Sequence, residues 1–335
     1  MNKLKQYYTT VYAIAYSSCG YYLAAADNYG YIGIFKLSPL LDNEENAQLE
    51  ASQKYPIFKF SAHTGPIYSM LSTKQLVISG GVGELKLWRW SDLKRKEAKL
   101  LWTFFIPQGE SLTKPEINSM VLSEKENKGI LYAGCGDNKV YCLDIEKKSL
   151  LFILEGHTDY IHCVDLGHSS QECVTGSEDG TVRIWDNRKG GSAIHILEPY
   201  KHQIANRPEF GKWIGCLALD SSDDWLVCGG GPHLCMWHLR SLAPSTQLLK
   251  PQVTSNVVTF HEDMIISGGS EPFVSHWSLD GKLQTEVPTS ASSVFCLGIN
   301  SSSTQQVLAT GGSSYKIDLC TDFRYKDFSL CFCDP

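Results

Sequence analysis

Short runs in which apolar and polar side chains alternate recur along the whole chain, separated by clusters of Gly, Asp, Asn and Ser. Alternation with a period of two predicts half-buried strands, and the clusters between them predict tight turns. The first pass shows the pattern, with Val11–Ser17, Tyr22–Ala26 and Tyr31–Leu37, and the turn Asp27 to Gly30 between the last two. Its outer strand is expected around Pro56–Phe60, beyond an acidic polar insertion near Asp42–Glu50 that reads as a solvated loop. Six further passes follow. The small residue ending each second strand marks the period: Ala25, Ser79, Ala133, Thr175, Cys228, Ser267 and Thr310. In five passes an aromatic follows nine or ten positions later (Phe35, Trp88, Trp185, Trp237 and Trp277), and the third and seventh passes lack it.

The clearest pass runs from Gly156 to Asp186, GHTDYIHCVDLGHSSQECVTGSEDGTVRIWD. It opens on Gly-His, closes on Trp-Asp and holds an Asp-Gly turn between two alternating runs, and in this it resembles a WD40 repeat. One such unit cannot bury both faces of its sheet, so neighbouring units must cover it. The expected fold is therefore all-β, a seven-bladed WD40 β-propeller forming a single domain over 1–335. Its blades fall near 11–60, 62–106, 116–154, 157–198, 213–249, 253–287 and 293–332. Either Lys3–Thr9 or Lys326–Phe332 is available as the last outer strand, and the alternation in Asp327–Phe332 favours the C-terminal segment.

Composition narrows the class. At about 40–45 residues per repeat, 335 residues hold one propeller and little else. A hydrophobic content of 43% and a charged content of 20% fit a folded chain. The net charge of −6 argues against nonspecific affinity for nucleic acid or anionic lipid, which needs a basic surface. The N-terminus shows no apolar stretch with a cleavage site, and no apolar run reaches membrane-spanning length, so a soluble, non-exported chain is expected. Most of the 12 cysteines fall in predicted strands and read as buried free thiols of a reducing compartment.

Candidate chemistry is sparse. Thr175, His157 and Asp179 have the types of a nucleophile, base and orienter, but the resemblance to a WD40 repeat implies that they form, with Trp185, a buried structural network joining the outer loop, the tight turn and the third strand. His63, with Ser79 and Trp88, reads as a partial version lacking the turn Asp. Cys228 to Pro232 is Gly-rich but precedes a strand, not a helix, so it reads as a turn, not a phosphate cradle. Cys331 and Cys333 have no second ligand pair at zinc-site spacing, and Lys94 to Lys96 with Lys99 reads as solvated surface. No catalytic residue, metal site or cofactor is expected. Trp185, Asp186 and Arg188 resemble the WDxR box by which many propellers dock on the adaptor of cullin-type ubiquitin ligases, and Trp237 to Arg240 is a weaker echo.

A wider resemblance covers nearly the whole chain. NYGYIGIFKLS (Asn28–Ser38), AHTGPIYSM (Ala62–Met70), PEIN (Pro115–Asn118), GHTDYIHC (Gly156–Cys163), KWIGCLALD (Lys212–Asp220), WLVCGGGP (Trp225–Pro232) and MWHLRS (Met236–Ser241) resemble the THO complex subunit 6 family. The acidic insertion and the Cys331–Pro335 tail depart from it. The resemblance implies a nuclear, non-enzymatic scaffold subunit of the THO/TREX assembly, which couples transcription and mRNA processing to mRNA export. The implied partners are other THO subunits, especially the coiled-coil ones, with RNA met only indirectly and no membrane. Exposed aromatic and Arg residues near blade-top loops dominate interface energetics, and Tyr160, Arg207, Lys212 and Trp213 around the fourth and fifth blades are the expected partner-binding residues.

Overall fold

The computed structural model describes residues 3–37, 51–107, 113–123, 129–169, 172–187, 191–250, 252–300, 306–321 and 323–333. The acidic insertion near Asp42–Glu50 and Arg188 lie outside the described residues. Seven four-stranded antiparallel sheets follow one another along the chain, each a simple up-and-down meander. They are the blades of a seven-bladed β-propeller.

The first blade is β1 (Val11–Tyr16), β2 (Tyr22–Asp27), β3 (Tyr31–Lys36) and β4 (Phe58–Ser61), preceded by the short helix α1 (Lys3–Tyr7). The second is β5 (Ser69–Ser72), β6 (Leu76–Gly80), β7 (Glu84–Arg89) and β8 (Leu100–Phe105), with the one-turn helix α2 (Trp90–Lys94) before its outer strand. The third is β9 (Ile117–Ser123), β10 (Ile130–Cys135), β11 (Lys139–Asp144) and β12 (Ser149–Glu155). The fourth is β13 (Ile161–Leu166), β14 (Glu172–Ser177), β15 (Val182–Asp186) and the three-residue β16 (His195–Leu197). The fifth is β17 (Ile214–Leu219), β18 (Trp225–Gly230), β19 (Leu234–His238) and β20 (Ala243–Leu248). The sixth is β21 (Ser255–His261), β22 (Met264–Gly269), β23 (Phe273–Ser278) and β24 (Leu283–Pro288). The seventh is β25 (Val294–Asn300), β26 (Val307–Gly312), β27 (Lys316–Cys320) and β28 (Phe328–Cys331).

The chain divides into two compact units, one of residues 1–105, 271–273 and 287–335, the other of 106–270 and 274–286. In the first, β25 packs against β1, so the sheets built from the two chain ends are neighbours. The outer strand of the seventh blade is C-terminal: β28 pairs with β27 from Leu319↔Phe328 to Lys316↔Cys331. Lys3–Tyr7 is helical instead. Leu330 and Phe332 are fully buried, and the Phe332 ring lies 6.4 Å from that of Phe35, so the tail seals the first blade as well as the seventh. Cys333 is buried beside Thr9, which uses the tail as packing.

In the second unit, three apolar layers separate the third to sixth blades. Val140, Leu154 and Tyr132 meet Ile161, Val164 and Trp185; Val174 and Ile184 meet Ile214, Leu217 and Trp237; Val227 and Met236 meet Val258 and Trp277. Each blade thus covers a face its neighbour cannot bury alone. Gly176 makes one such approach possible, since a Cβ there would sit 2.7 Å from both Cys163 Sγ and Ile214 Cγ2.

A bulge recurs at the start of the first strand. The register slips between Val11 and Ala13, Ile161 and Cys163, Ile214 and Cys216, Ser255 and Val257, and Val294 and Cys296. A bulge leaves one residue unpaired and re-aims its side chain. In the fourth and fifth blades that residue is His162 or Gly215, which shapes the site described next.

Candidate functional site

The fourth blade is locked by a buried relay. Trp185 Nε1–H on β15 donates to Thr175 Oγ1 on β14 at 2.9 Å, and Thr175 Oγ1 lies 2.7 Å from His157 Nε2. His157 Nδ1, from the link before β13, lies 2.8 Å from Asp179 Oδ2 in the β14–β15 turn. Asp179 also accepts from the Thr158 and Thr181 backbones and from Thr181 Oγ1. The proton order follows from the ends: indole N–H to hydroxyl, hydroxyl to Nε2, Nδ1–H to carboxylate. Burial lowers the His157 pKa, partly offset by Asp179, so the ring stays neutral. Burial raises that of Asp179, but hydrogen bonds from His157 and Thr181 outweigh it and the carboxyl is held well below its usual range. Thr175 is wholly buried, so its hydroxyl serves the relay and meets no solvent.

The second blade holds a variant. His63 Nε2 lies 2.8 Å from Ser79 Oγ, and Trp88 Nε1–H donates to Ser79 at 3.2 Å. The absent turn Asp is replaced from β7 by Glu84, whose Oε1 is 3.2 Å from His63 Nδ1 but off the hydrogen-bonding direction, and which also binds Lys86 at 2.7 Å. Fixed by such relays, the links between blades become firm mounts for the side chains they carry.

Three of the four expected partner-binding residues gather on the third to fifth blades. Tyr160, just before β13, is 49% exposed, and its carbonyl accepts from Glu178 N in the β14–β15 turn at 2.8 Å. Gly136 makes room for the Tyr160 ring, since a Cβ there would approach it to 2.9 Å. The bulge residue His162 bonds Glu178 Oε2 at 2.6 Å and meets the Trp213 ring edge-on at 6.3 Å. Trp213 is half-buried, and its Nε1–H donates to Phe210 O at 3.1 Å. Gly215 is what lets that indole lie along β17, because a Cβ there would come within 2.3 Å of it. Lys212 is exposed; its stem lies against Gly180 and its ammonium 5.8 Å from the Tyr200 ring. Nothing in the local sequence pattern marked His162, Glu178 or Tyr200; they join the cluster through the bulge and the turn.

Arg207 corrects the expectation of a surface anchor. It is 3% exposed, and its guanidinium donates to Gly231 O at 2.8 Å, Gly230 O at 3.1 Å and Val253 O at 2.7 Å while stacking on Phe210 at 4.1 Å. The side chain is a clamp between the fifth-blade β18–β19 turn and the link to the sixth blade. Of the WDxR box, Trp185 and Asp186 are buried, and Arg188 lies outside the described residues. The basic run near Lys94 is surface, with Arg95 bonded to Asp92 at 2.6 Å and Lys94 over the Tyr22 ring. Among the described residues no group of His, Cys, Asp and Glu is placed to hold a metal, and no helix is long and apolar enough to cross a membrane.

Seven meander sheets, one with the full Trp–Thr–His–Asp relay, define the WD40-repeat β-propeller class, and a family model described as "WD domain, G-beta repeat" matches residues 148–186. Across 99% of its length the chain is 41% identical to the THO complex subunit 6 homolog of Danio rerio, whose whole length is covered. It is 42% identical to THO complex subunit 6 of Homo sapiens over 98% of this chain and 94% of that one. The Drosophila melanogaster THO complex subunit 6 is 33% identical, over 98% of this chain and 90% of that one. The chain belongs to the THO complex subunit 6 family.

Proposed function

We propose that the chain is a non-catalytic scaffold subunit of the THO/TREX assembly in the nucleus. It binds other THO subunits, the coiled-coil ones above all, and so helps couple transcription and mRNA processing to mRNA export. The observation that carries this reading is the near end-to-end similarity to relatives named THO complex subunit 6. The geometry supports it. Tyr160, Lys212 and Trp213 stand on strand starts fixed by the fourth-blade relay and by Gly215, which preorganises the two aromatic rings as interface anchors require. The net charge of −6 fits a subunit that leaves RNA contact to others.

The test is retention of THO subunits from nuclear extract by the tagged full chain and by its Tyr160→Ala/Trp213→Ala variant. Wild type is expected to retain the coiled-coil subunits, and the variant, folded by circular dichroism, to lose most of them. No THO subunit on the wild type overturns the reading; full retention by the folded variant overturns the choice of face.

A further inference from the structure

A groove of about 620 Å³ opens between the fifth and sixth blades. It lies at the end of these blades formed by the turns between first and second and between third and fourth strands. Tyr160 and Trp213 belong to the opposite end, at the starts of first strands, so the groove is separate from the face proposed above.

Its floor is apolar. Trp225 and Phe260 are half-buried there, Met236 is buried, and Leu279 is 41% exposed. Aromatic rings beside a thioether make an adaptable pocket for an aliphatic or aromatic side chain, and the volume lies within the range of ligand sites. Its rim is acidic. Asp220 comes from the β17–β18 turn, Glu262 and Asp263 form the two-residue tip of the β21–β22 hairpin, and Asp280 comes from the β23–β24 turn. Among the described residues no Lys or Arg lines the groove; Lys282 binds Asp280 at 2.6 Å from beside it, and His168 at the margin is 3.6 Å from Asp223.

The two features together select an occupant. This acidic rim, in which Lys282 offsets only Asp280, repels a phosphate backbone or an anionic bilayer. A bare hydrophilic cation gains nothing from the floor. A protein segment carrying Lys or Arg beside large apolar side chains satisfies both, the charge steering and orienting, the apolar group filling the floor. We propose that this groove docks a short basic–apolar peptide segment of a partner protein.

The test uses fluorescence polarisation with the full chain and three labelled peptides. The first alternates Lys and Leu around a central Phe; in the second Glu replaces Lys; in the third Gly replaces Leu and Phe. The first is expected to bind about tenfold or more tighter than either control, and more weakly as salt rises. E262K/D263K, checked for folding by circular dichroism, is expected to lose about tenfold in affinity, and L279S to weaken the first peptide while leaving the third unchanged. Tyr160→Ala/Trp213→Ala is expected to bind the peptide as wild type does, which keeps this outcome distinct from that of the THO-binding face. Equal binding of the three peptides, or unchanged binding by E262K/D263K, overturns the proposal. A concentration-dependent self-association of the chain that E262K/D263K abolishes also overturns it, by making the occupant a second copy.

Discussion

Replacing Thr175 by Val exchanges a hydroxyl for a methyl of similar size at the middle of the fourth-blade relay. Val suits a strand, so shape and backbone preference are kept. Two buried polar groups lose their partner: Trp185 Nε1–H its acceptor at 2.9 Å, and His157 Nε2 its donor at 2.7 Å. Leaving a buried group unsatisfied costs about 1–3 kcal/mol, so the variant should lose about 2–5 kcal/mol after some relaxation. At about 2.1 cal/mol/K per residue, cooperative unfolding of 335 residues turns this into a fall in Tm of about 3–7 °C. Urea unfolding followed by circular dichroism measures the first quantity and calorimetry the second. Adding Trp185→Phe to Thr175→Val should cost less than the two single changes summed, because the indole donor is already orphaned. A loss under about 0.5 kcal/mol, or strict additivity, would refute the claim that the relay acts as one unit.

Three further outcomes follow from other contacts. Arg207→Met strands the carbonyls of Gly230, Gly231 and Val253 and should cost about 3 kcal/mol or more; Arg207→Lys should recover only part of this, and a melting point equal to wild type would show the clamp to be idle. Burial, then Lys86, hold the His63 pKa down to about 4 from 6.5. As pH falls through that window the unfolded chain takes up a proton that the folded one resists, so stability drops; melting scans should show a shallower drop for His63→Gln, and an unchanged slope would count against the assignment. Truncation after Tyr325 removes β28 and the fully buried Leu330 and Phe332, uncovering the β27 edge; a truncated chain with unchanged melting would contradict the role given to the tail.

What could be read in advance depended on whether a feature has a local signature. The fourth-blade relay did, because Gly-His, Thr, Asp-Gly and Trp-Asp fall at repeat-specific spacings. The second-blade version was half visible: its carboxylate is Glu84, which comes from the third strand instead of the turn, so the expected position is empty. Outer strands such as β20 (APSTQL) and β24 (LQTEVP) carry mixed polar sequences because they bury little on either face, and alternation fades there. Arg207 gives no such signal, because its partners are main-chain carbonyls, which no side-chain pattern announces. Likewise, the groove between the fifth and sixth blades is assembled from turns about forty residues apart, and exists only once the register sets Asp220 near Glu262. Lys3–Thr9 alternates weakly enough to pass for a strand, yet the tail already pairs with β27 and the N-terminal segment coils into α1.

Cross-linking mass spectrometry of the full chain reconstituted with the coiled-coil THO subunits tests the central claim most directly. Lys201 and Lys212 flank the Tyr160–Trp213 cluster, while Lys94 to Lys99 lie on the second blade, in the chain's other compact unit. The account predicts that cross-links from the coiled-coil subunits concentrate on Lys201 and Lys212 and vanish with Tyr160→Ala/Trp213→Ala. An assembled complex whose cross-links fall on Lys94 to Lys99 and spare Lys201 and Lys212 would contradict it.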